Sequence, residues 1–517
     1  MADQNTAAQG EIPLQTQVMR VFRGVNTKAQ RSAIPPDSFY DLENIIPLGN
    51  ANAHVVPNIS ASLTNFASDT IYAAQFGMVA SVPYLFCYSS TGKIIAWNLN
   101  AATATTISTG HPASGVKMAP WYNVYALFVD SAGYYSWDGT TFSTLALADG
   151  PTVGTDIAVC FGRVWVCSGR LIQYSGVYVG TTLTDPTQDT AWLPANGGGF
   201  VNMTDPALVG IITRLLPQNG YLYIFGQTCV FAVSDLYVPT GANPPTPVFT
   251  ITPVQSIIGT NQSFSVFPLN RALMFANSYG AWAIEGVNAI RISEDLDGTW
   301  QYLSSSAVIS GGQCVVESIL NAAFLIQRAN DPVFGSNTVV AMWFDNRWWF
   351  ANYGAITFIV SAVINDQPAL FGFIGNQLYE LFQDPTTAPN VTIMTPLWSM
   401  DDPLTDKQML RAGVELVTNI VQSTASVSLT ADGVNLSAAI PVALTTGTIT
   451  FVSTSGATLQ FTGAGSAPIY FTVENYQLCQ GPAPGTWSKY VGMTLKTVGL
   501  GFELDSFLMD YKMRKRW

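Results

Sequence analysis

Tyr84-Leu85-Phe86-Cys87-Tyr88, a turn through Gly92, and then Ile94-Ile95-Ala96-Trp97 set the pattern from which the fold is read. Both runs have strand length, both are rich in aromatic and β-branched residues, and a glycine-containing turn joins them. That is the composition of a β-hairpin. The pattern returns as Val124 to Val129 with Tyr134-Tyr135-Ser136-Trp137 across a turn at Gly133, and as Val164-Trp165-Val166 with Leu171-Ile172-Gln173-Tyr174. Further copies are Tyr221 to Phe225 with Val230-Phe231-Ala232-Val233, and Leu273-Met274-Phe275 with Ala281-Trp282-Ala283-Ile284. Val339 to Phe344 with Trp348-Trp349-Phe350, and Leu370 to Phe373 with Leu378-Tyr379-Glu380-Leu381, complete the set. Such spacings match blades of ~40–50 residues each. The expectation is an all-β chain whose middle, residues 66–388, is a β-propeller of six or seven blades. Stacked β-sandwiches give similar local signals and are the alternative.

The flanks read differently. Residues 1–65 carry Pro35-Pro36, Pro47 and Pro57 with few hydrophobic pairs, the composition of an extended N-terminal arm laid over other parts of an assembly. Removing residues 1–40 is expected, on this reading, to leave a folded monomer that cannot assemble. After Asp384-Pro385-Thr386-Thr387-Ala388-Pro389, residues 389–517 read as a C-terminal β-sandwich. Its expected strands are Arg411 to Val417, Ser426 to Thr430, Thr448 to Val452, Thr458 to Phe461, Ile469 to Val473, Val491 to Thr497 and Phe502 to Tyr511. Within it, the Ser/Thr-rich segment 421–470 has Asp432 as its one charge. A long neutral β segment with free edges invites aggregation unless sister subunits cover it.

Composition points the same way. Only 10% of the residues are charged, against about one in four for ordinary soluble domains. No apolar run approaches the ~18–20 residues of a membrane helix. The surface is therefore expected to be covered by further copies of the chain and by neighbouring subunits. A net charge of −12 argues against gripping nucleic acid by phosphate neutralisation, though not against a wall past which DNA slides. The six cysteines lack metal-ligand spacing and read as buried thiols made in a reducing cytoplasm. Met1 to Arg20 lacks the apolar core expected of a secretion signal, so export by that route is not expected.

Catalytic chemistry is thinly represented. The two histidines, His54 and His111, lie on separate loops, and the sequence does not advertise partners for a metal site or a Ser-His-Asp triad. Gly197-Gly198-Gly199 lacks the lysine and helix of a phosphate cradle and reads as a flexible tip. Ser293-Glu294-Asp295-Leu296-Asp297-Gly298-Thr299-Trp300 resembles the Asp-box turn of sialidase-like propellers, itself a structural element, and Tyr135 to Phe142 is a looser echo. A sialidase also needs clustered arginines, for which Arg163, Arg170, Arg214, Arg271 and Arg291 are available but unpatterned. Asp401-Asp402, and Asp295 with Asp297, are carboxylate pairs that read as solvated turns rather than as a glycosidase dyad. Lys512, Arg514, Lys515 and Arg516 form a basic tail suited to an acidic neighbour or to DNA phosphate.

Phe22-Arg23-Gly24-Val25-Asn26-Thr27, then Ile34-Pro35-Pro36-Asp37-Ser38, then Asp41-Leu42-Glu43-Asn44-Ile45, resembles the opening signature of tailed-bacteriophage structural proteins. Val25 stands where that signature has a second glycine. Ala272 to Trp300 and Gly499 to Arg516 resemble the family's display hairpin and its closing basic hairpin. The nearest kind is the nozzle, or tail hub (tail tubular) protein, of short-tailed phages. The resemblance implies a non-enzymatic virion tail protein without cofactors, made in the bacterial host cytoplasm and carrying no membrane anchor. It implies a homo-oligomeric ring, usually a hexamer, below the head-to-tail adaptor. Such a ring lines the channel for genome ejection, lets DNA pass without specific binding, and offers docking surface to tail fibres or spikes. Arg23, Gly24, Asn26, Asp41, Leu42 and Asn44 would belong to the assembly arm. The rival function is a sialidase-like glycan hydrolase or a glycan-binding adhesin.

Overall fold

Val82–Ser89 and Lys93–Asn98 pair antiparallel, with Leu85 opposite Trp97 and Cys87 opposite Ile95. Ile71–Val79 pairs on one side of this hairpin and Thr103–Thr109 on the other, giving a four-stranded meander, sheet one. The computed structural model describes residues 13–48, 52–239, 241, 244, 246–255, 257–286, 288–364, 366–418, 423–432, 434–444, 451–452, 458–459, 475–482, 485, 487–498 and 502–514. The protein is all-β, with 54% strand and 4% helix, and divides into two compact units. Unit 1 comprises Met1–Asn58, Arg347–Asn352 and Asp384–Trp517, and unit 2 comprises Ile59–Asn346 and Tyr353–Gln383.

Unit 2 repeats the meander. Sheet two runs Lys117–Trp121, Tyr125–Val129, Tyr134–Trp137, Phe142–Thr144, and sheet three runs Asp156–Cys160, Arg163–Ser168, Leu171–Tyr174, Gly199–Asn202. Sheet four runs Ile212–Gln218, Tyr221–Gly226, Val230–Tyr237, Val248–Gln255, and sheet five runs Phe267–Leu269, Ala272–Asn277, Gly280–Glu285, Asn288–Arg291. Within unit 2, sheet six consists of Gly311–Val316, Ile319–Gln327 and Thr338–Phe344. Sheet seven consists of Ile356–Ile364, Gln367–Ile374 and Gln377–Glu380, and its fourth strand is Thr64–Asn65, contributed from before sheet one.

The central strands are buried on both faces, as at Leu85, Phe86, Cys87 and Tyr88, because each sheet has neighbours on both sides. This is why they read as unbroken apolar runs rather than as an alternation. The first strand of sheet one touches those of sheets two and seven. The first strand of sheet three touches those of sheets two and four, and that of sheet six touches those of sheets five and seven. Sheets four and five meet through a core holding Phe225 and Phe275, whose rings lie 5.4 Å apart.

Unit 1 is built on two sheets. One orders Ile45–Leu48, Asn52–Val55, Phe502–Met513, Lys407–Thr418 and Asn475–Pro482, with Gln15–Met19 added to Phe502–Met513 and Trp487–Ser488 added to Lys407–Thr418. The unit 1 part of the other orders Arg347–Ala351, Asp41–Glu43, Asn390–Met394, Val491–Val498, Ser423–Ala431 and Val434–Leu444. Leu42, Ile393, Val414, Leu429, Leu495, Leu504 and Phe507 are buried.

The residues expected as a separate arm, 1–65, are divided between the units. Gln15–Met19 pairs with the strand Phe502–Met513 of its own chain, from Gln15 opposite Tyr511 to Met19 opposite Phe507. Phe22, Val25, Ile34 and Phe39 are buried, and the Phe22 and Phe39 rings sit 5.1 Å apart. Proline fixes this segment as extended chain, but its apolar residues make it core, so cutting at residue 40 would strip unit 1 of packing.

Of the expected strands beyond 389, Ile469 to Val473 lies outside the described residues, as does most of 445–474. Val434–Leu444 and Asn475–Pro482 are strands the sequence reading did not contain. Both runs of the sixth expected hairpin are strands, Thr338–Phe344 and Arg347–Ala351, and what the sequence reading lacked is Ile319–Gln327, which also pairs with the first of them.

Candidate functional site

The opening signature folds into a clamp in unit 1. Asn44 takes a left-handed conformation, φ 59°, which asparagine tolerates better than most residues. Its Nδ2 donates to the carbonyl oxygens of Asn352 (2.9 Å) and Asn390 (2.8 Å), and its Oδ1 accepts from the N–H of Asn352 at 2.8 Å. One buried side chain thus ties its own segment to two stretches of unit 1 that lie 308 and 346 residues away. Gly24 has φ +94°, and a Cβ there would stand 2.7 Å from the Trp348 carbonyl oxygen. Glycine is needed because the next N–H, of Val25, donates to that same oxygen at 2.7 Å.

Asp41 and Leu42 are buried in the strand paired with Asn390–Met394, Leu42 lying opposite Ile393. The Asn26 N–H donates to Phe39 O at 2.8 Å, and its Oδ1 accepts from Lys28 N–H. Arg23 is the exception. Its side chain is 70% exposed and its Nε lies 2.6 Å from Asp37 Oδ2, so it alone of the six is open to a neighbour.

Arg31, which the sequence reading passed over, staples the clamp. Its guanidinium donates to Thr395 O (2.7 Å), Thr430 Oγ1 (3.3 Å) and Met493 O (3.1 Å). Burial pulls its pKa down to about 10 despite Tyr40 and Asp41. The only available signal was a lone arginine before a Pro-Pro turn.

In the basic tail, Lys512 is half-buried on the closing strand, and Arg514 lies 3.7 Å from Asp406 Oδ2 and is largely exposed. Lys515 and Arg516 lie outside the described residues.

In unit 2 the first strands of several sheets converge on common space. A cavity of about 290 Å³ is lined from sheets one, four, five, six and seven, including Gln75, Arg214, Pro268, Gln313 and Ser361. A second, of about 380 Å³, draws on Tyr72, Lys117, Thr213 and Ser263. Arg214 Nη1 is 3.0 Å from the fully buried Asp156 Oδ1, whose other oxygen accepts the Leu215 N–H.

His111 does find partners. Its Nδ1 is 2.9 Å from Asp130 Oδ2, and its Nε2 is 2.9 Å from Ser108 Oγ. The order is that of a Ser-His-Asp relay, but equivalent positions in the other sheets give it a different meaning. In each case a residue preceding or opening the first strand is tied to the end of the second strand or the turn after it. Asp69 bonds Ser89 and Thr91 in sheet one, and Thr155 bonds Cys167 O in sheet three. Thr213 bonds Phe225 O, Thr260 bonds Ala276 O, and Thr357 bonds Phe373 O in sheets four, five and seven. The His111–Asp130 contact is the same strand tie in sheet two. Asp130 also accepts the N–H groups of Ala132 (2.7 Å) and Gly133 (2.8 Å), capping its own turn.

Burial pushes the Asp130 carboxyl upward, but His111 and the two amides outweigh it and hold the pKa below the usual range. A depressed carboxylate stabilises the fold above its unfolded pKa of about 3.9, and that stability is lost as pH falls through the folded value. Asp130→Asn is therefore expected to shrink the fall in urea midpoint between pH 6 and pH 3. An unchanged pH dependence would refute the assignment.

The remaining candidates are structural in detail. Glu294–Leu296 and Asp297–Trp300 form short helical turns, with Arg291 paired to Asp297 and Trp300 Nε1 donating to Asn277 O at 3.0 Å. The five arginines do not converge. Arg163 holds Ser175 O and Gly197 O, Arg170 holds Leu208 O and Gly210 O, Arg291 holds Asp297 and Tyr279 O, and Arg271 is exposed. Asp402 caps its own turn through the Leu404 N–H and Thr405 Oγ1. Gly198 is no open tip, since a Cβ there would overlap the backbone of Trp192. His54 Nε2 stands 3.4 Å from Glu503 Oε1. Among the described residues no His/Cys/Asp/Glu group could hold a metal, and no helix is long and apolar enough to cross a membrane. No protein-family profile matches the chain, and no curated protein sequence matches it either.

Proposed function

We propose that the chain is a non-enzymatic subunit of a ring-shaped virion assembly, the tail nozzle or hub of a short-tailed bacteriophage. Unit 2 is, on this reading, a seven-bladed β-propeller closed by Thr64–Asn65 as the outer strand of the last blade. Its basis is the seven small sheets, the contacts that run from sheet to sheet, through first strands except between four and five, and the return from sheet seven to sheet one. Unit 1 corresponds to the C-terminal sandwich with the opening signature built into it.

The observation that carries the assembly reading is that the outermost strands of three consecutive sheets each expose a bulky apolar side chain. Phe200 is 70% exposed on sheet three, Val248 45% on sheet four and Ile290 56% on sheet five. Outer edges of this kind, on a chain with so few charges, favour association over solvation. The uncharged strand Val434–Leu444 ends the second sheet of unit 1 among the described residues. A homo-hexamer below a head-to-tail adaptor, carrying fibres or spikes outside and passing DNA through an acidic lumen, fits the charge balance of −12.

Two negative charges placed on these strands test it. Burial of a Phe and an Ile is worth about 4 kcal/mol together, so Phe200→Glu with Ile290→Glu is expected to weaken self-association by on the order of 1,000-fold. The far-ultraviolet circular dichroism should be unchanged. Sedimentation velocity reads the outcome, and a variant that still forms the wild-type assembly would remove this surface from the interface. A purified chain that stays monomeric with adaptor present, and is absent from particles by cryo-electron microscopy, would overturn the function itself.

A further inference from the structure

The cavity of about 380 Å³ in unit 2 has a buried lysine amine at its wall and no acid in its lining. Lys117 opens the first strand of sheet two and is 3% exposed. Its Nζ donates to Ser263 Oγ at 2.6 Å and stands 3.1 Å from the centroid of the Phe264 ring. Ser263 and Phe264 both line the cavity, so the amine sits at its wall. Among the described residues Lys117 makes no ion pair, and none of those lining this cavity is acidic. The carboxylate with an electrostatic influence on Lys117, Asp156, is committed to Arg214 and to the Leu215 N–H.

An ammonium has three donors, and here one meets a hydroxyl and another faces a ring. Enclosing such a charge without a counter-ion costs several kcal/mol. Burial, and then the charge of Arg214, hold the Lys117 pKa well below that of an ordinary lysine. The groups facing it are Arg214, Asp156, Cys167 and Tyr72, and of these only Asp156 favours the cation through an ionised acid. The wall also presents hydroxyls with a proton to give. Ser263 Oγ accepts from Lys117, and Tyr72 Oη accepts the Val116 N–H at 3.4 Å, leaving each O–H free to point elsewhere. The volume lies within the range of small-molecule sites, which begins near 300 Å³.

We propose that this cavity binds a small organic oxyanion, a phosphate ester or a carboxylate, through Lys117 with the hydroxyls of Ser263 and Tyr72. The anion supplies the missing counter-charge, and the amine takes up a proton as it binds. This holds whether or not the chain forms a ring.

Thermal unfolding of the full chain at pH 8.5 and fixed ionic strength tests the proposal, with inorganic phosphate and acetate compared against chloride. Phosphate is expected to raise the midpoint by several degrees over chloride, and acetate less, because phosphate can accept from the amine and both hydroxyls. The reverse order assigns the site to carboxylates. Lys117→Met is expected to lose at least nine-tenths of the anion-dependent shift, while the exposed-surface change Lys28→Met keeps all of it. Calorimetry of the wild type in two buffers of different ionisation heat should show about one proton taken up per anion. This second readout decides the matter even if Lys117→Met misfolds. Equal midpoints in phosphate and chloride, the same anion response in wild type and Lys117→Met, or no proton uptake would each overturn the proposal.

Discussion

Asn44→Ala is expected to destabilise unit 1 by about 4 kcal/mol, among the largest effects of any single side chain in the protein. The change removes three hydrogen bonds at once and leaves the carbonyls of Asn352 and Asn390 and the N–H of Asn352 without their bonds to this side chain. A buried group left unsatisfied costs about 1–3 kcal/mol, and alanine in a left-handed conformation adds about 1 kcal/mol. Asn44→Asp keeps the acceptor for Asn352 N–H but sets a buried carboxylate oxygen against the two carbonyls, and should be at least as destabilising as alanine. Gly24→Ala tests the same clamp from the other side, because its Cβ would press on the Trp348 carbonyl. Urea denaturation followed by tryptophan fluorescence reads these differences. A loss under 1 kcal/mol for Asn44→Ala would mean that the signature does not hold the unit together.

This clamp bears on how the signature was read. Phe22 to Ile45 was legible as a motif because its residue types are unusual together, but sequence alone gave its meaning as contact with other subunits. Five of its six residues turn inward on their own chain, and only Arg23 faces out. Short motifs report that a local geometry is needed, and they do not report which chain supplies the other half. The partners of Asn44 lie about 300 and 350 residues downstream, a separation that no periodicity encodes.

The hairpins show where local chemistry is informative and where it fails. The second and third strands of most sheets were visible because both faces are buried and the runs are unbroken, as at Leu85 to Tyr88 and Leu127 to Val129. The first and fourth strands were not. Thr103–Thr109 is nearly all exposed and polar, so it carries no hydrophobic signal. The turns from first to second strand hide for a different reason. Ala80-Ser81, Tyr122-Asn123 and Glu317-Ser318 all take positive φ at both positions, but only Asn219-Gly220 has the composition that advertises such a turn. At sheet six the reading missed Ile319–Gln327, which pairs with Thr338–Phe344 across the longer connection from Arg328 to Asn337. His111 was judged partnerless for a similar reason, since Ser108 and Asp130 come to it from the preceding sheet's last strand and its own sheet's turn.

The second large effect concerns Asp156 and Arg214, and here two substitutions should be milder than one. Asp156 is fully buried, bonded to Arg214 Nη1 and to the Leu215 N–H, and its charge also acts on Lys117. Asp156→Leu leaves the Arg214 guanidinium, whose side chain is only 14% exposed, without its acid. Breaking one half of a buried pair is expected to cost about 3–5 kcal/mol. Replacing both, Asp156→Leu with Arg214→Met, removes two desolvated charges and leaves one amide, that of Leu215, without its acceptor. The double variant should therefore recover most of the loss and lie within about 2 kcal/mol of wild type. The coupling also reaches the cavity. Arg214 lowers the proton affinity of Lys117, so Arg214→Met alone is expected to strengthen proton binding there and to weaken the anion's linkage to proton uptake. Denaturant melts of the four proteins close the cycle. If the double variant is as unstable as the sum of the single ones, the pair contributes through packing rather than charge, and the electrostatic account of this region fails.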